Sequence, residues 1–182
     1  MMLMSRWLPA LSFVAVTLFS QGALLAQEAP QPASEPARTF ELEGNELKLP
    51  SAVIFETGTD KLLPESDKAL EHVKAYLEAK DYITLLRIEG HTDSDGDDQA
   101  NQTLSEKRAL SVARWLVAHG VSCTRLMPVG FGENKPVQSN ESADGRAANR
   151  RMSFINAALR GRLIGGMPAD GGGMVAGDPC AK

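Results

Sequence analysis

The stretch that decides the fold is Ile83-Thr-Leu-Leu-Arg-Ile-Glu-Gly-His-Thr-Asp93, followed ten residues later by Thr103-Leu-Ser-Glu-Lys-Arg-Ala109 and an apolar run to Gly120. Ile83–Glu89 is rich in β-branched and apolar residues and stops at Gly90, which reads as a buried strand. Thr103 and Glu106 match a capping box, so a helix is expected to open there and close at Gly120, with Ala109, Val112, Ala113, Leu116 and Val117 as its buried stripe.

Working outward, Pro64 opens an earlier helix with Leu70, Val73 and Leu77 on one stripe and Ala69 and Tyr76 beside it. Before it, Thr39–Leu42 and Glu46–Leu49 flank Gly44-Asn45 as a small hairpin, and Ala52–Phe55 is a short strand candidate. After the second helix, Leu126–Phe131 reads as a strand, with Pro128 pointing to an edge or an irregular start. A long polar loop then leads to a last strand over Arg151–Asn156. The order β-α-β-α-β-β predicts an α/β fold (an α+β sandwich), a mixed sheet with two helices on one face.

The flanks have different compositions. Residues 1–26 carry Arg6, an apolar stretch of 13 residues from Trp7 to Phe19, and then Gly22, Ala23 and Ala26. That is the layout of a cleavable secretory signal. An uncleaved anchor is the alternative, but a spanning helix needs ~20 mainly apolar residues, and Ser20, Gln21 and Gly22 interrupt this one. No cysteine stands near the cleavage region, so a lipid on an N-terminal cysteine is not expected, nor is a transmembrane segment after cleavage. Residues 27–38 hold three prolines and no apolar period, as in an extended linker. The domain is expected over 39–156, with a Gly-rich tail over 157–182.

Export places the two cysteines, Cys123 and Cys180, in an oxidising compartment. A bridge between them would tie the tail to the domain. The alternatives are two free thiols or an intermolecular bond, because sequence does not supply the separation a disulfide requires.

Composition narrows the function. The chain of 182 residues has a net charge of −4, which argues against a nucleic-acid binder that must neutralise phosphates. Two cysteines and three histidines leave little for a metal cluster, and no cofactor motif is present. Asp93-Ser-Asp95-Gly-Asp97-Asp98 resembles a calcium loop only superficially, since an EF-hand needs Gly at its sixth position and Glu at its twelfth, where Asp98 and Leu104 stand. His91 reads as a packed, hydrogen-bonding residue.

The chemistry concentrates after the central strand. Asp93 stands at its mouth, and Arg108 is expected in the first turn of the following helix, where a cation is out of place unless an anion lies in front of both. An acid and a guanidinium so placed suit a zwitterion, with ammonium toward Asp93 and carboxylate toward Arg108. From charges alone, a simple Asp93–Arg108 ion pair is the plainer outcome.

Several motifs occur together in order: Phe55 with Gly58, GHTD at 90–93, Asn101, LSEKRA at 104–109, Val129-Gly-Phe-Gly132, Pro136, and Gly145-Arg-Ala-Ala-Asn-Arg-Arg151. Over about residues 40–156 they resemble the peptidoglycan-associating domain of the OmpA family, found also in Pal lipoproteins and MotB. The resemblance implies a non-catalytic site for the meso-diaminopimelate residue of the peptidoglycan stem peptide. Asp93 would take its ammonium and Arg108 its carboxylate. Thr92, Asn101 and Leu104 would line the site, Arg150 would meet an anionic group of the peptide, and the Thr57-Gly58 turn would offer backbone groups. It also implies the periplasmic face of a Gram-negative outer membrane. The rival readings are an adaptor for an outer-membrane protein and a wall hydrolase using Asp93, Glu89 or Glu56 as general acid.

Overall fold

The computed structural model describes residues 39–166 and 168–181; the expected signal and linker lie outside them. In chain order the elements are β1 (Leu42–Glu43), β2 (Glu46–Leu47), a 3-10 turn (Pro64–Ser66), α1 (Asp67–Ala79), β3 (Ile83–Gly90), α2 (Asp98–Ala118), a 3-10 turn (Cys123–Arg125), β4 (Leu126–Gly130), α3 (Ala143–Asn149), β5 (Met152–Leu159), β6 (Arg162–Leu163) and β7 (Met174–Val175). The sheet order is β1-β2-β5-β3-β4-β7, with β6 on β5. β3 is central: it runs parallel to β4 and antiparallel to β5.

The core follows from the sequence pattern. Leu70, Val73, Tyr76 and Leu77 of α1 and Ala109, Val112, Ala113 and Leu116 of α2 pack on Leu86 and Ile88 of β3 and Phe154 of β5. The Tyr76 hydroxyl accepts a hydrogen bond from Asn156 Nδ2 at 2.8 Å, which satisfies a polar group inside that layer. The helix-facing row of the sheet ends in glycines. A Cβ on Gly90 would lie 2.3 Å from the Ser105 carbonyl oxygen, and one on Gly130 would lie 2.5 Å from Glu106 Cγ. Here α2 approaches the sheet too closely for any side chain.

Four expectations are corrected. Ala52–Phe55 is not a strand; it has one bridge, Phe55 to Leu62. The Ser66 hydroxyl takes the place of a neighbouring strand there, accepting from Ile54 N and donating to Ile54 O, both at 2.8 Å. The second helix opens at Asp98, not Thr103, because Asp97 caps it by accepting from Ala100 N at 2.9 Å. Thr103 and Glu106 therefore form no capping box, and Glu106 instead accepts from Gln102 Nε2 at 2.8 Å. The long polar loop contains a third helix, α3, capped by Ser142 accepting from Gly145 N at 3.0 Å. Lastly, the sheet does not end at 156: β5 reaches Leu159, and β6 and β7 follow.

The tail is thus part of the sheet. β7 pairs with β4 at Val129 and Gly130, and Ala176 N donates to Pro128 O at 2.9 Å, so the proline-bearing strand is an edge covered by a strap. Cys123 and Cys180 are joined in a disulfide, with Cα atoms 5.2 Å apart.

Candidate functional site

The turn after β3 is fixed from both sides of the sheet. His91 N donates to Arg151 O at 3.1 Å and Thr92 N to Gly132 O at 2.9 Å. From α2, Ser105 Oγ accepts from Gly132 N at 2.9 Å, while Gln102 Nε2 reaches Gly130 O at 3.0 Å. Asn101 Nδ2 lies 3.2 Å from the carbonyls of Asp93 and Asp95 and 3.1 Å from Glu133 Oε2. Asn101 therefore holds the acidic loop rather than presenting its amide to a ligand. Thr92 is also buried, and its hydroxyl has no partner among the described residues.

The direct Asp93–Arg108 ion pair that charges alone would favour does not form. Asp93 Oδ2 instead meets Arg150 Nη1 at 2.5 Å, and Asp93 Oδ1 accepts only a 3.3 Å bond from Asp95 N. Arg150, expected on an anionic ligand group, is placed on Asp93 because α3 ends one residue before it and brings the side chain across the loop. The Arg150 side chain is 49% exposed and that of Asp93 10% exposed, so the arginine is the solvent-facing partner.

Arg108 lies three turns into α2 rather than in its first turn, so its role owes nothing to the helix N-terminus. Its Nε donates to Thr59 O at 2.9 Å, and its guanidinium carbon lies 5.0 Å from the centre of the Phe55 ring. The two Nη groups have no acceptor among the described residues. Burial pushes the guanidinium below its ordinary value; Asp60 and Asp93 pull it back up, and Arg150 pushes it down. It stays charged at any physiological pH. A half-buried cation with two unused donors is a place for an anion.

The remaining predicted residues fall around it. Thr57, Gly58, Arg108 and Arg150 line one cleft of about 360 Å³, together with Phe55 and Ala147. Gly58 also borders an adjoining space of about 510 Å³, with Leu104 and Lys107 on its wall. The exposed turn at Thr57-Gly58 is closed by Thr59 N donating to Glu56 O at 3.0 Å. Sequence reading missed the supports: Thr59 and Asp60, held by Arg108 and by Ser111 Oγ at 3.1 Å, and Arg146, whose Nε meets Asp95 at 3.3 Å. The i, i+3 spacing of Arg108 and Ser111 on one helix face is the signal that ties both to that loop.

The carboxylates of the hydrolase reading are occupied. Glu89 is buried between Arg87 Nε at 2.6 Å and His91 Nε2 at 3.2 Å. Burial favours its neutral form, but the His91 hydrogen bond and the Arg87 charge overcome it and hold the carboxyl below its ordinary range. Glu56 is exposed and paired with Lys61 at 3.0 Å.

The fold is that of a mixed α/β domain, and the sequence matches the model of the OmpA family over residues 54–150: the chain belongs to the OmpA family. Among its relatives, the outer-membrane lipoprotein YfiB of Pseudomonas aeruginosa is 42% identical over 118 residues, covering 64% of this chain and 70% of that one. The peptidoglycan-associated lipoprotein of the same species is 36% identical over 109 residues, 59% of this chain and 63% of that one. The crystal structure of the peptidoglycan-associated lipoprotein from Burkholderia pseudomallei superposes with a TM-score of 0.52 at 27% identity, covering 59% of this chain and 89% of that one. No helix among the described residues is long and apolar enough to cross a membrane.

Proposed function

We propose that this chain is a non-catalytic module that holds peptidoglycan noncovalently at the periplasmic side of the outer membrane, by gripping the meso-diaminopimelate of the stem peptide. The observation that carries the reading is Arg108: half-buried, fixed through Nε, with no acceptor on either Nη group among the described residues, and on the wall of a cleft that Arg150, the partner of Asp93, also lines. A carboxylate can take the two Nη donors, while an ammonium takes Asp93 Oδ1 or displaces the half-exposed Arg150. Arg150 keeps Asp93 neutralised until the ligand's own cation arrives. The names of two relatives, an outer-membrane lipoprotein and a peptidoglycan-associated lipoprotein, support the envelope setting.

Charge-assisted hydrogen bonds contribute about 1.5–3 kcal/mol each. Two or three, less the cost of immobilising the ligand, give a Kd on the order of micromolar to millimolar per stem peptide. A polymer that repeats the peptide raises retention through rebinding.

The test is co-sedimentation with purified sacculi. Arg108→Ala and Asp93→Asn should lose retention while remaining folded, and free meso-diaminopimelate should compete where lysine does not. Full retention of a folded Arg108→Ala protein would refute the site. Release of soluble muropeptides by the wild-type chain would instead favour the hydrolase.

A further inference from the structure

The face of β3 turned away from the helices carries Arg87 and Glu89, since Leu86 and Ile88 point into the core, and His91 follows just after the strand ends at Gly90. These three form a line. Arg87 Nε donates to Glu89 Oε1, and Glu89 Oε2 holds His91 Nε2. His91 stacks on Phe131 with ring centres 5.3 Å apart, and it also borders a narrow space of about 20 Å³ shared with Arg108 and Arg150. The next two residues are Thr92 and Asp93. One end of the line therefore packs beside Phe55, Arg108 and Arg150, which also wall the ligand cleft.

Its other end is held by the C-terminal strap. Arg87 Nη1 donates to Ala169 O at 2.9 Å, and Lys135 Nζ, which sits 3.6 Å from the centre of the Phe131 ring, donates to Gly171 O at 3.2 Å. A Cβ on Gly171 would come within 2.6 Å of the Arg87 guanidinium, and one on Gly173 within 2.4 Å of Val129 and 2.7 Å of Phe131. The strap thus presses on both the ionic and the aromatic neighbours of His91. It continues through β7 along the edge of β4 and is tied down by Cys180, which is exposed, to Cys123.

We propose that Arg87, Glu89 and His91 are positioning residues for the ligand cleft, and that the strap is a thiol-sensitive clamp that sets them. The proposal rests on the ligand reading above. A dithiol reductant opens the clamp. Its thiolate attacks Cys180 Sγ, the bond to Cys123 breaks, and Cys123 leaves as a thiolate that takes up a proton. The second thiol of the reductant then displaces Cys180 as a thiolate, which is protonated in turn. Two electrons pass to the protein, and the reductant closes into a disulfide. Without the latch, the short β7 pairing and two carbonyl contacts must hold the strap alone, and the grip on Arg87 and Phe131 relaxes.

The experiment compares oxidised, dithiothreitol-reduced and Cys180→Ser forms of the exported chain by hydrogen exchange and by titration with a soluble muropeptide carrying meso-diaminopimelate. Reduction should strip protection from the amides of Gly173 and Ala176, then from those of His91 and Thr92, while Leu86 and Ile88 stay protected. Affinity should fall about fivefold or more. Arg87→Gln, with its disulfide intact, should reproduce the affinity loss while leaving the strap amides protected. Equal affinity in all forms, with His91 and Thr92 unchanged, overturns the proposal. If the oxidised chain binds no muropeptide, the ligand reading fails, and the exchange at His91 and Thr92 still decides the clamp.

Discussion

Replacing Arg108 by lysine separates charge from geometry in the cleft. The guanidinium spends Nε on Thr59 O at 2.9 Å and keeps two parallel Nη donors for the ligand. A lysine ammonium is a single point that cannot serve the loop carbonyl and both carboxylate oxygens at once. At least one charge-assisted bond to the ligand is lost, about 1.5–3 kcal/mol, which corresponds to roughly ten- to hundredfold weaker binding. Stability should fall by no more than about 1.5–3 kcal/mol, the scale of one hydrogen bond from a charged donor, here to Thr59 O. Calorimetric titration with a diaminopimelate muropeptide, together with thermal melting, measures both quantities. Binding by Arg108→Lys within twofold of wild type would show that the cleft reads charge alone, and the two-donor reasoning would fall.

Three further outcomes test the frame around the site. Gly90→Ala must push the Ser105 backbone aside, costing about 1–3 kcal/mol, and should lower Tm by about 3–12 °C; an unchanged Tm would mean that α2 is free to shift. Asn149→Ala removes the acceptor of Val137 N at 2.8 Å and Gln138 N at 3.0 Å and the donor to Gln138 O at 2.9 Å. Leaving those groups unpaired should cost about 2–4 kcal/mol in denaturant unfolding. Acid should act in two steps. Burial depresses His91 below its ordinary 6.5, so the unfolded chain takes a proton first and stability falls as pH drops from about that value. Glu89, held below its ordinary 4.5, adds a second loss as pH falls through its folded value. His91→Phe should remove the upper step from a Tm-against-pH profile.

How much was legible depended on where apolar periodicity coincided with the element. β3, α1 and the apolar half of α2 carry their own patterns and were readable. The first turns of α2, Asp98–Thr103, hold no apolar residue but Ala100, and the Asp97 cap sits in a run of acids that reads as solvated loop. The apolar stripe begins at Leu104, which is why Thr103 looked like the start. α3 is short, contains Gly145 and lacks a stripe, so nothing marked it. The motifs bring Asp93 and Arg108 forward as site candidates, but the Asp93–Arg150 pair depends on where α3 ends, and that is invisible without α3. The strap is held by backbone pairing, two cationic side chains and a disulfide, none of which needs an apolar pattern.

The position of β5 reaches beyond the ligand site. This strand lies between β2 and β3, yet it starts at Met152, after the last residue of the family match at 150. A recombinant fragment trimmed to that match would keep every motif residue but Arg151, and would leave one side of β3 without its antiparallel neighbour and Tyr76 without Asn156. Such a fragment would expose Ile88 and Leu86 along a raw strand border and favour clumping over a monomer. Boundaries drawn by likeness and boundaries drawn by hydrogen bonding therefore part company in this chain, and deletion work should follow the second.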